Sequence, residues 1–145
     1  MEETFLTSSS QETQDIAKNI LSSLSSGTVI TLTGPLASGK TTFSQGIGEA
    51  LGIPRVVSPT YLIMREYSIT NHPFLQRLFH LDLYRLNSVE EIKSFDLEEI
   101  WNQPENLVLI EWPENLLDLL PKKHLEVTFK STGPTQREIK ITKHL

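Results

Sequence analysis

Gly34-Pro35-Leu36-Ala37-Ser38-Gly39-Lys40-Thr41 satisfies the pattern G-x-x-x-x-G-K-[ST] at every fixed position. A loop that wraps a polyphosphate must aim several backbone N–H groups at one point, and glycine allows the bend and the close approach because it has no Cβ. A helix that opens directly from such a loop adds unsatisfied N–H groups and a positive dipole end. Within this pattern Lys40 brings a point charge to the β- and γ-phosphates, and the Thr41 hydroxyl is placed to ligate Mg²⁺. Gly34, Leu36, Ala37, Ser38, Gly39, Lys40, Thr41 and Thr42 are therefore the candidate nucleotide-binding residues.

The flanking residues supply the context the motif needs. Thr28-Val29-Ile30-Thr31-Leu32-Thr33 is β-branched and apolar, as expected of a buried parallel strand. Phe43, Ile47, Ala50 and Leu51 recur at helical spacing up to Gly52, with Pro54 shortly beyond. Strand, loop and helix thus follow in the required order. Further along, Tyr61 to Ile69 and Leu78 to Tyr84 are expected to form two strands around the turn Thr70-Asn71-His72-Pro73. Leu107-Val108-Leu109-Ile110, the most apolar run, is expected to be a central strand.

Helices are expected in four further places. In the first 26 residues, Ser8 to Ser10 offer caps to a stripe of Ile16, Ile20, Leu21 and Leu24 that ends near Ser25-Ser26-Gly27. Ser88-Val89-Glu90-Glu91 reads as a capping box, Asp96 to Trp101 as a short helix, and Pro113 as the first turn of another holding Leu116, Leu117 and Leu120. His124 to Phe129 and Arg137 to Thr142 alternate like a hairpin at a sheet edge, with Gly133-Pro134 in the turn. The expected architecture is α/β: a single P-loop NTPase-like domain over residues 1–145, with a mixed parallel and antiparallel sheet flanked by helices.

At 145 residues the chain has room for one substantial core and little more. Without cysteine, disulfides, zinc-thiolate sites and thiol nucleophiles are all excluded. No apolar run approaches membrane-spanning length, and Met1-Glu2-Glu3 does not open a secretory leader, so a cytoplasmic location is expected. A net charge of −5 argues against a nucleic-acid surface, and tight direct tRNA binding is not expected. Half of the 18 acidic residues fall between Ser88 and Asp118, where Lys93 is the only basic residue; this is either a solvated helical face or a docking surface for a basic partner.

Hydrolysis needs groups that hold a metal and place a water. Glu111 directly follows the apolar strand, and in open α/β sheets the carboxyl ends of strands line the ligand crevice. Asp82, amid Leu81, Leu83 and Tyr84, is costly to bury unless paired or facing a cation. Structural roles stand beside these: Asp82 paired with Arg85, and Glu111 capping the turn at Pro113. His80 shares a strand face with Asp82 and reads as a hydrogen-bonded structural group, and Trp112 as packing.

Taken in order, Gly34 to Phe43, Ser58-Pro59-Thr60-Tyr61, His80-Leu81-Asp82-Leu83-Tyr84-Arg85 and Ile110-Glu111-Trp112-Pro113-Glu114 resemble the motifs of the TsaE family, formerly YjeE, over nearly the whole chain. The resemblance implies an ATPase that uses ATP and Mg²⁺ and works with TsaD and TsaB to make threonylcarbamoyladenosine in tRNA. It assigns Thr60 to a switch-like loop, Asp82 and Glu111 to metal and catalysis together with Lys40, and Arg137 to the neighbourhood of the base. One departure stands out: the family loop reads G-D-L-G-A-G-K-T, whereas this chain has Pro35 for the acid and Ala37 for the middle glycine. A positive φ at Ala37 would add strain of about 1 kcal/mol and weaken nucleotide binding.

Two other classes use the same loop. A small-metabolite or nucleoside kinase needs an arginine-bearing lid, and the five arginines here are scattered. A GTPase switch needs N-K-x-D, and Thr142-Lys143-His144-Leu145 lacks its acid. No in-built arginine finger is identifiable, so hydrolysis is expected to be slow alone and faster in a complex.

Overall fold

Seven strands form one sheet in a computed structural model that describes residues 1–57, 63–85, 89–93, 95–116 and 118–145. In chain order the elements are β1 (Glu2–Thr7), α1 (Ser10–Ser23), β2 (Val29–Thr33), α2 (Lys40–Ala50), β3 (Met64–Ser68), β4 (Arg77–Asp82), α3 (Val89–Lys93), α4 (Leu97–Trp101), β5 (Asn106–Glu111), a 3₁₀ turn (Pro113–Leu116), β6 (His124–Ser131) and β7 (Arg137–His144). The strand order is β1-β7-β6-β2-β5-β4-β3. The inner strands β6, β2, β5 and β4 run parallel, and the outer pairings β1–β7, β7–β6 and β4–β3 are antiparallel.

Sequence period explains which face each helix covers. On β5, Leu107 and Leu109 point into the cluster that holds Ile16, Ala17, Ile20 and Leu21 of α1 and Phe43 and Ile47 of α2. Val108 and Ile110 point the other way, onto Ile92 of α3, Leu97 of α4 and Leu116 of the 3₁₀ turn. Both faces of β5 are covered, so every one of its residues is buried. α1 starts as its sequence indicates, with the Ser9 hydroxyl accepting the Glu12 N–H at 3.1 Å. The acidic run divides between α3 and α4, where Glu90, Glu91, Glu98 and Glu99 are exposed.

Three expectations need revision. The hairpin of β6 and β7 is not at the sheet edge, because residues 2–7 form a strand that pairs along β7 from Glu2↔Thr142 to Thr7↔Arg137. β1 buries little, with Leu6 74% exposed, so its pattern carries no core signal; the unpaired backbone of β7 recruits it. β3 and β4 are shorter than the runs Tyr61 to Ile69 and Leu78 to Tyr84 suggested. In the turn between them the His72 Nδ1 accepts the N–H groups of Phe74 and Leu75 at 3.3 and 3.0 Å. The helix expected at Pro113 is a single 3₁₀ turn. Ser88 of the capping box, Leu117, and the whole Ser58-Pro59-Thr60-Tyr61 segment lie outside the described residues.

α1 and α2 pack closely because Gly46 presents no side chain. A Cβ there would sit 2.9 Å from the Gln14 Cα and 3.1 Å from the Ala17 Cβ. Gly46→Val is therefore expected to lower stability by about 1–3 kcal/mol through overpacking, seen as a lower urea midpoint with an unchanged slope; an unchanged midpoint would show that the helices separate freely.

Candidate functional site

The loop between β2 and α2 is shaped by backbone that most residues avoid. Gly34 has φ +157° and Gly39 φ +114°, and a Cβ on Gly34 would meet the Phe129 carbonyl oxygen at 2.7 Å. Ala37 has φ +60°, so the strain foreseen from its methyl group is present, on the order of 1 kcal/mol. Gly39 ends the loop at the N-cap of α2, whose first residue is Lys40.

Lys40 is buried, 5% exposed. Its Nζ donates to the carbonyl oxygens of Gly34 and, at 3.3 Å, Pro35, and lies 3.7 Å from the centre of the Trp112 ring. Burial lowers the Lys40 pKa, and the negative charges of Glu111, Glu114 and Asp82 act against that shift. Trp112 thus does more than pack, since it caps the ammonium from a strained backbone with φ +57° and meets Tyr84 at 4.8 Å between ring centres.

The two carboxylates arrive from adjacent strands. Asp82 ends β4 and Glu111 ends β5, and the parallel register sets them directly opposite each other. The Asp82 Oδ1 accepts the Tyr84 N–H at 3.0 Å. Glu111, only 3% exposed, is gripped from behind: its Oε2 accepts a 2.6 Å hydrogen bond from Nε2 of His80, itself 1% exposed. Because a carboxylate oxygen can only accept here, Nε2 carries the hydrogen, and Nδ1 is left buried with no partner among the described residues. His80 is a structural group, as its sequence position suggested, but the group it supports is Glu111 rather than the core at large.

A cleft of about 820 Å³ gathers these groups. Of the residues proposed from sequence, Leu36, Ala37, Gly39, Lys40, Thr41, Thr42, Asp82, Glu111 and Arg137 line it. Gly34 and Ser38 do not. Gly34 opens the loop half-buried, and Ser38 is 1% exposed with no partner for its hydroxyl among the described residues, so only its backbone could serve a ligand. Arg137 reaches the loop from β7, donating from Nη2 to the Ala37 carbonyl at 3.3 Å and from Nη1 to Gln136 and Gly133 carbonyls at 2.8 and 3.3 Å. Thr60 falls outside the described residues.

The far wall was not foreseen. Ser8 to Ser10 and Thr13 at the start of α1 face Pro134 and Thr135 of the β6–β7 turn, and Arg85 lines the same cleft. The pairing of β1 with β7 brings that wall together, and β1 has no sequence signature of its own. The cleft has a volume in the range of small-molecule sites. Its donors Thr41, Asp82 and Glu111 are hard oxygens, which suit Mg²⁺ and not a softer ion.

Comparison with known proteins agrees with this geometry. The family model described as "Threonylcarbamoyl adenosine biosynthesis protein TsaE" matches residues 7–139. The tRNA threonylcarbamoyladenosine biosynthesis protein TsaE of Bacillus subtilis is 38% identical over 133 residues, covering 91% of this chain and 80% of that protein. The protein of the same name from Borreliella burgdorferi is 37% identical over 120 residues, covering 82% and 85%. The crystal structure of Bacillus subtilis YdiB superposes with a TM-score of 0.78 at 31% identity, over 100% of this chain and 87% of that one. With the motifs, the mixed sheet and these relatives in agreement, the chain belongs to the TsaE family.

Proposed function

We propose that this chain is a Mg²⁺-dependent ATPase that serves the threonylcarbamoyladenosine machinery of tRNA modification, acting with TsaD and TsaB. One observation carries the chemistry: a buried ammonium at the mouth of a strained loop lies on the same cleft as two carboxylates from adjacent strand ends. The biological setting comes from the family and from the names its relatives carry. Kinase and GTPase readings lose their support once family membership is clear.

In this reading the triphosphate tail lies along the loop, with its oxygens taking the place of the Gly34 and Pro35 carbonyls on the Lys40 ammonium. Phosphate charge then compensates the desolvation that lowers the Lys40 pKa. Thr41, Asp82 and Glu111 would hold Mg²⁺, which supplies charge neutralisation on the β- and γ-phosphate oxygens. Glu111, with one oxygen fixed by His80, keeps the other for the cleft, where it orients the metal or an attacking water. The base sits toward Ser9, Thr135 and Arg137. Turnover by the isolated chain is expected to be slow, with Arg137 tied to main-chain carbonyls. Steady-state phosphate release should therefore rise when TsaB and TsaD are added.

Lys40→Ala removes the charge-assisted contacts to phosphate and should weaken ATP binding by about a hundredfold or more, with turnover lost; titration with a fluorescent ATP analogue that is unchanged from the native protein would refute the assignment. His80→Leu keeps volume but removes the donor to Glu111. The turnover number should fall by about 10- to 100-fold with little change in KM, and His80→Gln, which retains an N–H near the Nε2 position, should recover much of it. Equal losses in both variants would reduce His80 to a packing residue.

A further inference from the structure

At the end of the sheet opposite the phosphate loop, the open end of the β6–β7 hairpin carries two histidines and a glutamate with no part in the chemistry above. His124, the first residue of β6, is paired in register with His144, the last of β7, and Glu126 lies two residues on along β6. One side-chain ligand atom from each of the three lies within 4.8 Å of the others. We propose that His124, Glu126 and His144 form a binding site for a borderline divalent transition-metal ion of the zinc type, separate from the Mg²⁺ expected at the phosphate loop.

Two independent observations support the assignment. The His124 Nδ1 donates to the Pro121 carbonyl at 2.8 Å. A carbonyl can only accept, so Nδ1 carries the hydrogen and Nε2 of the neutral ring presents its lone pair. A backbone carbonyl holding the remote nitrogen is the support that metal-bound imidazoles use. The His144 Nε2 is buried from solvent and has no hydrogen-bond partner among the described residues, with the Glu126 Oε2 at 3.5 Å. A buried imidazole nitrogen without a partner requires an explanation, and an ion supplies one.

Two imidazoles and one carboxylate make a donor set that suits zinc and leave a coordination position for water. Tetrahedral bonds of about 2.0–2.1 Å place donors roughly 3.4 Å apart, so the two rings, now stacked at 4.4 Å between centres and 17° between planes, must turn out of that stack to face one ion together. An ion there would join the start of β6 to the end of β7.

Zinc chloride titrated calorimetrically into untagged full-length protein is expected to give one site per chain at micromolar affinity or tighter, undiminished by millimolar Mg²⁺. The double variant His124→Gln/His144→Gln, which leaves His72 and His80 in place, should weaken binding by more than about a hundredfold. On the native protein, ¹⁵N spectra of the imidazoles should show the Nε2 signals of His124 and His144 moving with zinc while those of His72 and His80 stay. Absence of zinc binding, equal affinity in the double variant, or shifts at His72 or His80 instead would overturn the proposal.

Discussion

A buried ammonium group sets the terms for the rest of this structure. Lys40 cannot be taken out of water without compensation, and the fold surrounds its Nζ with two loop carbonyls, the face of Trp112 and the field of three acids. Each of these depends on a different part of the chain. The carbonyls need the loop geometry of Gly34, Ala37 and Gly39; the indole needs the strained turn after β5; and the acids need the ends of β4 and β5 to align. A lysine that suffers desolvation gains from the arrival of an anion, so under the proposed function the charge that is costly to bury would also select the ligand.

The sheet order supplies the alignment. β2, which delivers the phosphate loop, lies between β5 and β6, so the carboxylate of Glu111 comes from one neighbour and the reach of Arg137 from the hairpin on the other side. His80 shows the same logic one layer down. Its position on β4, opposite Leu109, leaves its ring diagonal to Glu111, and the resulting 2.6 Å hydrogen bond joins two strands below the cleft floor. A carboxylate tethered by one oxygen has fewer orientations to lose when a ligand or metal engages the other.

Much of this was legible in the chain itself. Strand, loop and helix around Lys40 follow from local rules about glycine, β-branched runs and helical spacing, and the positions of Asp82 and Glu111 follow from the tendency of ligands to gather at strand ends. What local rules miss is contact between distant segments. β1 is mostly exposed, so little in its pattern announces that it will pair with β7, and without that pairing the wall formed by Ser9 and Thr135 cannot be assembled. The hydrogen bond between His80 and Glu111 depends on a register between parallel strands whose connection runs through α3 and α4, which no residue spacing encodes. Ala37 is intermediate: its position in the loop announced the strain, and the backbone carries it.

The central claim is that the loop and Lys40 grip the phosphate tail of a nucleotide, and phosphate number is its most direct probe. Calorimetric titrations of the native protein with ATP, ADP and AMP, each with Mg²⁺, should give one site per chain and affinity that collapses for AMP, because the proposal has Lys40 contact the β- and γ-phosphates. Equal affinity for ATP and AMP, or no measurable binding of ATP to folded protein, would contradict the account.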